Sequence, residues 1–421
     1  ITHYTKTYES NITTHNFFSM FKSLSLKVII FGFIFTFFSS FGQSFFLGLF
    51  NSSIRETLSI SHGQFGSIYA SATLLSSFVL VWVGKKIDDM NISKFALYVV
   101  ILLSISSFLF SKISSITFLF FAIFLMRLSG QGLMSHSAST TVSRYFEKSR
   151  GKALSTSWLG LSSAEFIMPL TIVFLLTFIE WRTLWISISL LIILVLPVII
   201  FLTVRDVKLD TRENFSLNNK LIKKIKQWKR IEVLKDYRFY IITINMLAMP
   251  SIATGTFVYQ SFITSSKGWG PYIIAQSFMV YSILSLITLF ISGFLIDKFS
   301  SRRLLFFMNI PLIFSVFVLY NYSDPISSFI FLGLIGISNG FANVLGTSTW
   351  AEIYGVKYIG SIKALTTSLM VFSTAFGTAL FGLLIDKGFS IEQIALFSGS
   401  YILTGIILLF SIKNKLNPNY L

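Results

Sequence analysis

The chain has no cysteine and only four histidines in 421 residues, and both shortages narrow its function. Without cysteine there are no disulfides and no thiolate metal sites. His3, His15, His62 and His136 are scattered without ligand spacing, so neither a metal centre nor another cofactor is expected. Charge is scarce as well: Asp, Glu, Lys and Arg make up 12% of the chain, about half the share of a soluble protein. No nucleophile, acid and base constellation stands near either end of an apolar segment, so an enzyme is not expected. What remains is apolar, 53% of residues with 47 phenylalanines read as lipid-facing bulk. Such a chain belongs in a bilayer.

Twelve apolar segments are legible, at roughly 27–50, 64–84, 95–111, 114–142, 151–179, 182–204, 239–265, 271–294, 303–322, 325–350, 359–385 and 392–412. Most reach the ~20 residues that cross ~30 Å of hydrocarbon. The first is longer than a signal-peptide core and lacks a small-x-small cleavage site, so it is read as a span. Pro271 after Gly270 and Pro325 after Asp324 suit first helical positions. The expected organisation is a cytoplasmic tail (1–26), a six-helix bundle (27–204), a cytoplasmic central loop (205–238), a second six-helix bundle (239–412) and a short tail (413–421). In the central loop Leu221, Ile222, Ile225 and Trp228 recur at helical spacing among lysines, the pattern of an amphipathic helix on a leaflet, with a solvated linker as the alternative.

The formal charge of +17 invites a nucleic-acid partner, but its distribution answers otherwise. With the loops placed alternately on two sides, one side holds 28 of the 34 lysines and arginines, two of them credited to the loop before the eleventh span. The other holds five, Arg55, Lys112, Arg182, Lys267 and Lys387, and Arg127 lies within a span. That is the positive-inside pattern. It puts both termini in the cytoplasm and the basic face against anionic lipid, with no nucleic acid required.

Two ionisable residues lie deep in spans. Arg127 and Glu165 are each 19 residues from Phe146, in the turn RYFEKSRGK that joins the fourth and fifth spans. At ~1.5 Å per residue both reach the bilayer centre on adjacent antiparallel helices. An unpaired charge there costs roughly 2.5–3.5 kcal/mol on insertion scales, so a partner, a watery cavity or a ligand is needed. The expectation is an ion pair, either structural or part of a solute path. Asn339 and Asn343 lie one turn apart at similar depth and read as solute contacts or interhelical glue. Gly336 and Gly340 form a GxxxG packing motif. Gln131, Gln260, Tyr259 and Gln43 are further polar candidates, and His136 reads as a hydrogen-bonded histidine.

The halves repeat at a constant offset of 209: GKKID (84–88) with GFLID (293–297), Tyr145 with Tyr354, and Gly151 with Gly360. Six spans per half give the repeats one orientation. Asp88 and Asp297 close these motifs at helix C-termini, where the macrodipole disfavours an anion. Gly84 and Gly293 share their helix faces, which would let a neighbour pack close.

GKKIDDMNISK and GFLIDKFSSRR resemble the two signature loops of the major facilitator superfamily. The second keeps Asp297, Lys298, Arg302 and Arg303 but has Ser300 where glycine is usual; the first has Asp89 and Asn91 at the basic and glycine positions. Arg127 with Gly130, Gln131 and Gly132 resembles a second family pattern, tied in many members to proton coupling or substrate charge. The resemblance covers essentially the whole chain and implies an all-helical carrier of two pseudo-symmetric six-helix bundles working by alternating access. In it Asp88 and Asp297, with Gly84, Gly293 and the cations Arg144, Arg150, Arg302 and Arg303, would latch the cytoplasmic side in the outward-open state. The expected cargo is a small polar solute, first an organic anion held by Arg127, with Glu165 exchanging partners or taking a proton. Asn339, Asn343, Gln131 and Gln260 would complete the contacts. A passive facilitator and an efflux antiporter are the alternatives, though span five lacks the Gly-Pro pair typical of drug antiporters. A monomer in the plasma membrane, of bacterial inner-membrane type, is expected.

Overall fold

A computed structural model describes residues 24–146, 150–205, 207, 226–355 and 358–416, without the side chains of Asp88, Arg150, Lys152, Asp297, Thr347, Ser361 and Ala364. Eleven helices are long and apolar enough to cross a membrane, and a shorter apolar helix, Ile310–Asn321, makes twelve. The first half comprises α1 (Leu24–Ser39), α2 (His62–Lys85), α3 (Ile92–Ser111), α4 (Ile116–Tyr145), α5 (Arg150–Leu175) and α6 (Trp181–Thr203). The second comprises α7 (Tyr237–Val258), α8 (Pro271–Phe299), α9 (Ile310–Asn321), α10 (Pro325–Tyr354), α11 (Ile359–Asp386) and α12 (Ile391–Ser411). The protein is a multi-pass membrane protein, and no strand occurs among the described residues.

Helix starts follow local chemistry. Pro271 and Pro325 occupy first-turn positions, and the Asp324 side chain accepts from the Ser327 amide, satisfying a donor the helix cannot. Ser61 with Gln64 and Ser390 with Gln393 form capping boxes on α2 and α12.

The packing order repeats between halves. Helix α1 packs on α5 as α7 does on α11, α3 on α6 as α9 on α12, and α2 on α4 as α8 on α10. Across the halves α2 meets α11 and α5 meets α8, the same pair of contacts with the repeats exchanged. Gly336 lets α10 reach the Tyr281 carbonyl on α8, and a Cβ on Gly340 would stand 2.6 Å from the Ser285 carbonyl. That close approach is what the GxxxG motif provides.

Several expected spans are not regular helices. The first, 27–50, leaves the helix after Ser39, passes through an extended Gln43 (φ −83°, ψ 155°) and continues in short turns to Asn51–Leu58. The fourth contains a π-helical segment, Arg127–Met134. The seventh bends at Tyr259 into Gln260–Lys267. The ninth, expected over 303–322, begins with a separate turn, Ser301–Leu304, before its 12-residue helix.

The phenylalanines also need correction. Phe46, Phe50 and Phe110 surround a buried Trp185 with centroid distances of 5.5, 5.1 and 4.5 Å, so part of the aromatic content is core. In the central segment Leu221, Ile222 and Ile225 lie outside the described residues. Trp228 packs on the end of α10: its amide donates to the Tyr354 carbonyl at 3.0 Å and its ring meets that of Tyr354 at 5.5 Å.

Candidate functional site

Arg127 begins the π segment of α4 and is 2% exposed. Its Nη1 donates to the Gly42 carbonyl at 3.0 Å and to Ser44 Oγ at 3.3 Å, and its guanidinium lies 5.4 Å from the Tyr69 ring centroid. Tyr69 in turn donates to Ser44 Oγ at 3.0 Å. The break after Ser39 explains the arrangement, because unwound backbone frees a carbonyl that a continuous helix would have used. Gly42 and Gly130 make the approach possible: a Cβ on Gly130 would stand 2.7 Å from the Gly42 nitrogen. Arg127 Nε has no partner among the described residues.

The expected ion pair with Glu165 is not formed; no bridge between them occurs among the described residues. Equal depth placed them level, but α1 packs against both the π segment and α5, and the arginine turns to the broken end of the first span. Glu165 is partly exposed on α5, where that helix meets α8. One turn earlier the Ser162 carbonyl accepts from Ser282 Oγ of α8 at 2.6 Å. Glu165 has no hydrogen bond or ion pair among the described residues.

A cavity of about 280 Å³ opens among α7, α10 and α11. Asn339 and Asn343 line it, with Thr243, Thr366 and Lys363, against Trp350 and several methionines. Asn339 also donates to Ser285 Oγ of α8 at 2.9 Å, so it serves both as interhelical contact and as wall. Asn343 is exposed although it lies 11 residues inside α10, and a Cβ on Gly346 would meet nothing within 4 Å. The space therefore continues from mid-helix toward the end of the bundle that carries the central segment. Lys363 is the cation that sequence reasoning missed. It had been counted with the loop charges, yet it sits in the second turn of α11, inside the expected span 359–385, without an ion-pair partner among the described residues.

The opposite end of the bundle is closed. Asp386, the last residue of α11, accepts from Ser61 Oγ at 2.5 Å and from the His62 and Gly63 amides at 2.9 and 2.8 Å. A carboxylate thus caps the positive N-terminus of α2 in the other half. Nearby, Tyr259 Oη donates to the His62 carbonyl at 2.7 Å and Asn51 Nδ2 to the Val258 carbonyl at 2.8 Å. Gln260, expected to touch solute, is 3% exposed and donates through Nε2 to the carbonyls of Phe45 and Phe257, both at 2.9 Å. It belongs to this closure. Asp386 was also missed, although GLLID (382–386) echoes GFLID (293–297) letter for letter except at one position.

At the basic end, Gly84, Gly293 and Arg302 of the expected latch show no contact with the opposite half among the described residues. A Cβ on Gly293 would meet nothing within 4 Å. Gly84 faces its own half, where His136 Nε2 hydrogen-bonds its carbonyl at 3.0 Å. Arg302 pairs with Glu352 of α10, which also accepts from Ser301, and donates to the Leu416 carbonyl at 2.8 Å; this ties the second half to itself, not to the first. Arg303 is exposed, and Arg144 is partly exposed and has an interaction partner. Gln131, on the π segment, is partly exposed. The side chains of Asp88, Asp297 and Arg150 lie outside the described residues.

The profile of the Major Facilitator Superfamily matches residues 32–378. Among solved structures, a bacterial homologue of the human lysosomal transporter Spinster in an inward-facing, unoccupied conformation superposes with a TM-score of 0.69 at 13% identity, covering 93% of this chain and 98% of that one. Its inward-facing, occupied form gives 0.70 at 13%, covering 94% and 97%. The nucleoside transporter NupG gives 0.69 at 13%, covering 93% and 99%. No curated protein sequence matches. At such identity the likeness carries the fold alone.

Proposed function

We propose that this chain, which belongs to the Major Facilitator Superfamily, carries a small organic anion across the plasma membrane by rocking its two halves about the α2–α11 and α5–α8 contacts. One observation carries the reading: a cavity lined by Asn339, Asn343, Thr243, Thr366 and Lys363 runs from mid-α10 toward the basic end, while Asp386 and its neighbours seal the other. That is one of the two states alternating access requires. The positive-inside distribution supports a cytoplasmic open end, with both termini there and the basic face on anionic lipid; the working unit in this proposal is a single chain.

The charge recognition first given to Arg127 passes to Lys363. Arg127 is committed to the broken first span, whereas Lys363 projects a cation beside amides and hydroxyls that can hold oxygen acceptors. Trp350 and the methionines supply an adaptable apolar wall for the solute's body. Glu165, unpaired at the seam, is the group that takes the proton, so solute and proton move together. A passive facilitator differs only here, since it needs no such exchange.

Purified protein should be screened by thermal shift against organic acids and nucleosides, because a ligand bound only to the folded state raises apparent stability. With the stabilising anion in hand, liposome uptake in Lys363→Gln should show KM raised about tenfold, near 1.4 kcal/mol, with kcat less affected. An unchanged KM removes Lys363 from recognition. Glu165→Gln should retain exchange of the anion and lose proton movement; coupling that persists makes the facilitator or another proton site the better account.

A further inference from the structure

We infer that the outer flank of the second half holds a site for an anionic phospholipid at the basic membrane face. This rests on the membrane placement above and is independent of the cargo. A cavity of about 730 Å³ lies between the turn joining α8 to α9 and the end of α12. It shares no lining residue with the 280 Å³ cavity of α7, α10 and α11, so it is separate from the proposed solute site. Its walls include Arg303, Lys413 and Ser300 on the polar side and Phe307 and Phe410 on the apolar side.

Both cations are available. Arg303 is exposed and has no ion-pair partner among the described residues, and Lys413 Nζ stands 6.0 Å from the Phe410 ring centroid. The adjacent carboxylate, Glu352, is consumed by Arg302 and Ser301, and no acidic residue lines the cavity among the described residues. Phe307 and Phe410 are 56% and 51% exposed, a face suited to acyl chain immediately below two cations. Ser300 adds an independent mark: its backbone has φ 77° and ψ 149°, a region that non-glycine residues occupy at a cost and that clusters at ligand sites. Charge above and apolar surface below select a phosphodiester that carries its own hydrocarbon. A free phosphate would satisfy the cations and leave the rings unused.

The test uses the full chain in neutral detergent, titrated with phosphatidylglycerol or phosphatidylcholine and read by native mass spectrometry. The double variant Arg303→Gln, Lys413→Gln should bind its tightest phosphatidylglycerol roughly 30-fold more weakly, about 2 kcal/mol for two cations, with phosphatidylcholine unaffected. Neutralising Lys85 and Lys94 on the first half should leave that affinity in place. Equal loss in both double variants would mean general surface charge, and no loss in either would place the lipid elsewhere. Displacement of the lipid by millimolar inorganic phosphate would reassign the pocket to a free anion. Each of those three outcomes overturns the site.

Discussion

Arg127 shows how far depth alone carries an inference. Rise per residue fixes how deep a side chain sits, but not which way round the helix it points, and two residues at one level still meet only if their faces turn together. The π segment turns Arg127 toward Gly42 and Ser44, while Glu165 looks to α8. The guanidinium is therefore held by neutral acceptors and a tyrosine ring rather than a carboxylate. Arg127→Gln should cost roughly 1–3 kcal/mol for a buried acceptor left unmade, and in a double-mutant cycle with Glu165→Gln the two effects should add to within about 0.5 kcal/mol. Denaturant unfolding in detergent gives the four stabilities. A coupling energy well above 1 kcal/mol would restore the ion pair. Lys363 teaches a separate lesson: the expected span, 359–385, already contained it, yet it was counted with the loop charges, and charge counting by side hid a cavity cation.

Ser300 closes α8 in a backbone conformation that glycine adopts freely and serine does not. Ser300→Gly should accordingly raise stability by roughly 1–3 kcal/mol, against the unfolded-state entropy that glycine adds, while Ser300→Ala should not. A Gly variant with a lower thermal midpoint would show that the serine hydroxyl matters more than the strain. The substitution was visible as a departure from the GFLID loop pattern, but its φ was not. Elements in general were legible where apolar length decides them: eleven spans needed only composition and ~20 residues each. Their interruptions were not, because the break at Gln43 and the π segment at Arg127 are stable only together, through Gly42 packed on Gly130 and a carbonyl answered by Arg127. Neither segment contains a proline to announce it. The phenylalanine stack about Trp185 was hidden for a related reason, since composition alone does not divide lipid-facing from core aromatics.

At the scale of the whole molecule, closure of one end and opening of the other must be two expressions of a single equilibrium. The duplication made the two-half architecture readable, and it directed attention to Asp88 and Asp297 at the basic end. A bond across the halves that the described residues do show sits at the far end, where Asp386 caps α2. Its sequence sign, GLLID at the end of α11, lay outside the offset of 209 and so was not compared. Because a side-chain cap is worth roughly 0.5–2 kcal/mol, Asp386→Asn should tilt the balance toward the opposite opening by a factor of about 2 to 30. The chain's lack of cysteine makes this measurable with single thiols at Ala379, which lies in the α2–α11 contact near Gly66, and at Gly346, which faces the open cavity. In the Asp386→Asn background, membrane-impermeant labelling should rise at Ala379→Cys from the closed side and fall at Gly346→Cys from the other. Reciprocal change is the informative result. A rise at Ala379→Cys with no fall at Gly346→Cys would mean that the end frays without the halves rocking, and alternating access through this gate would lose its support.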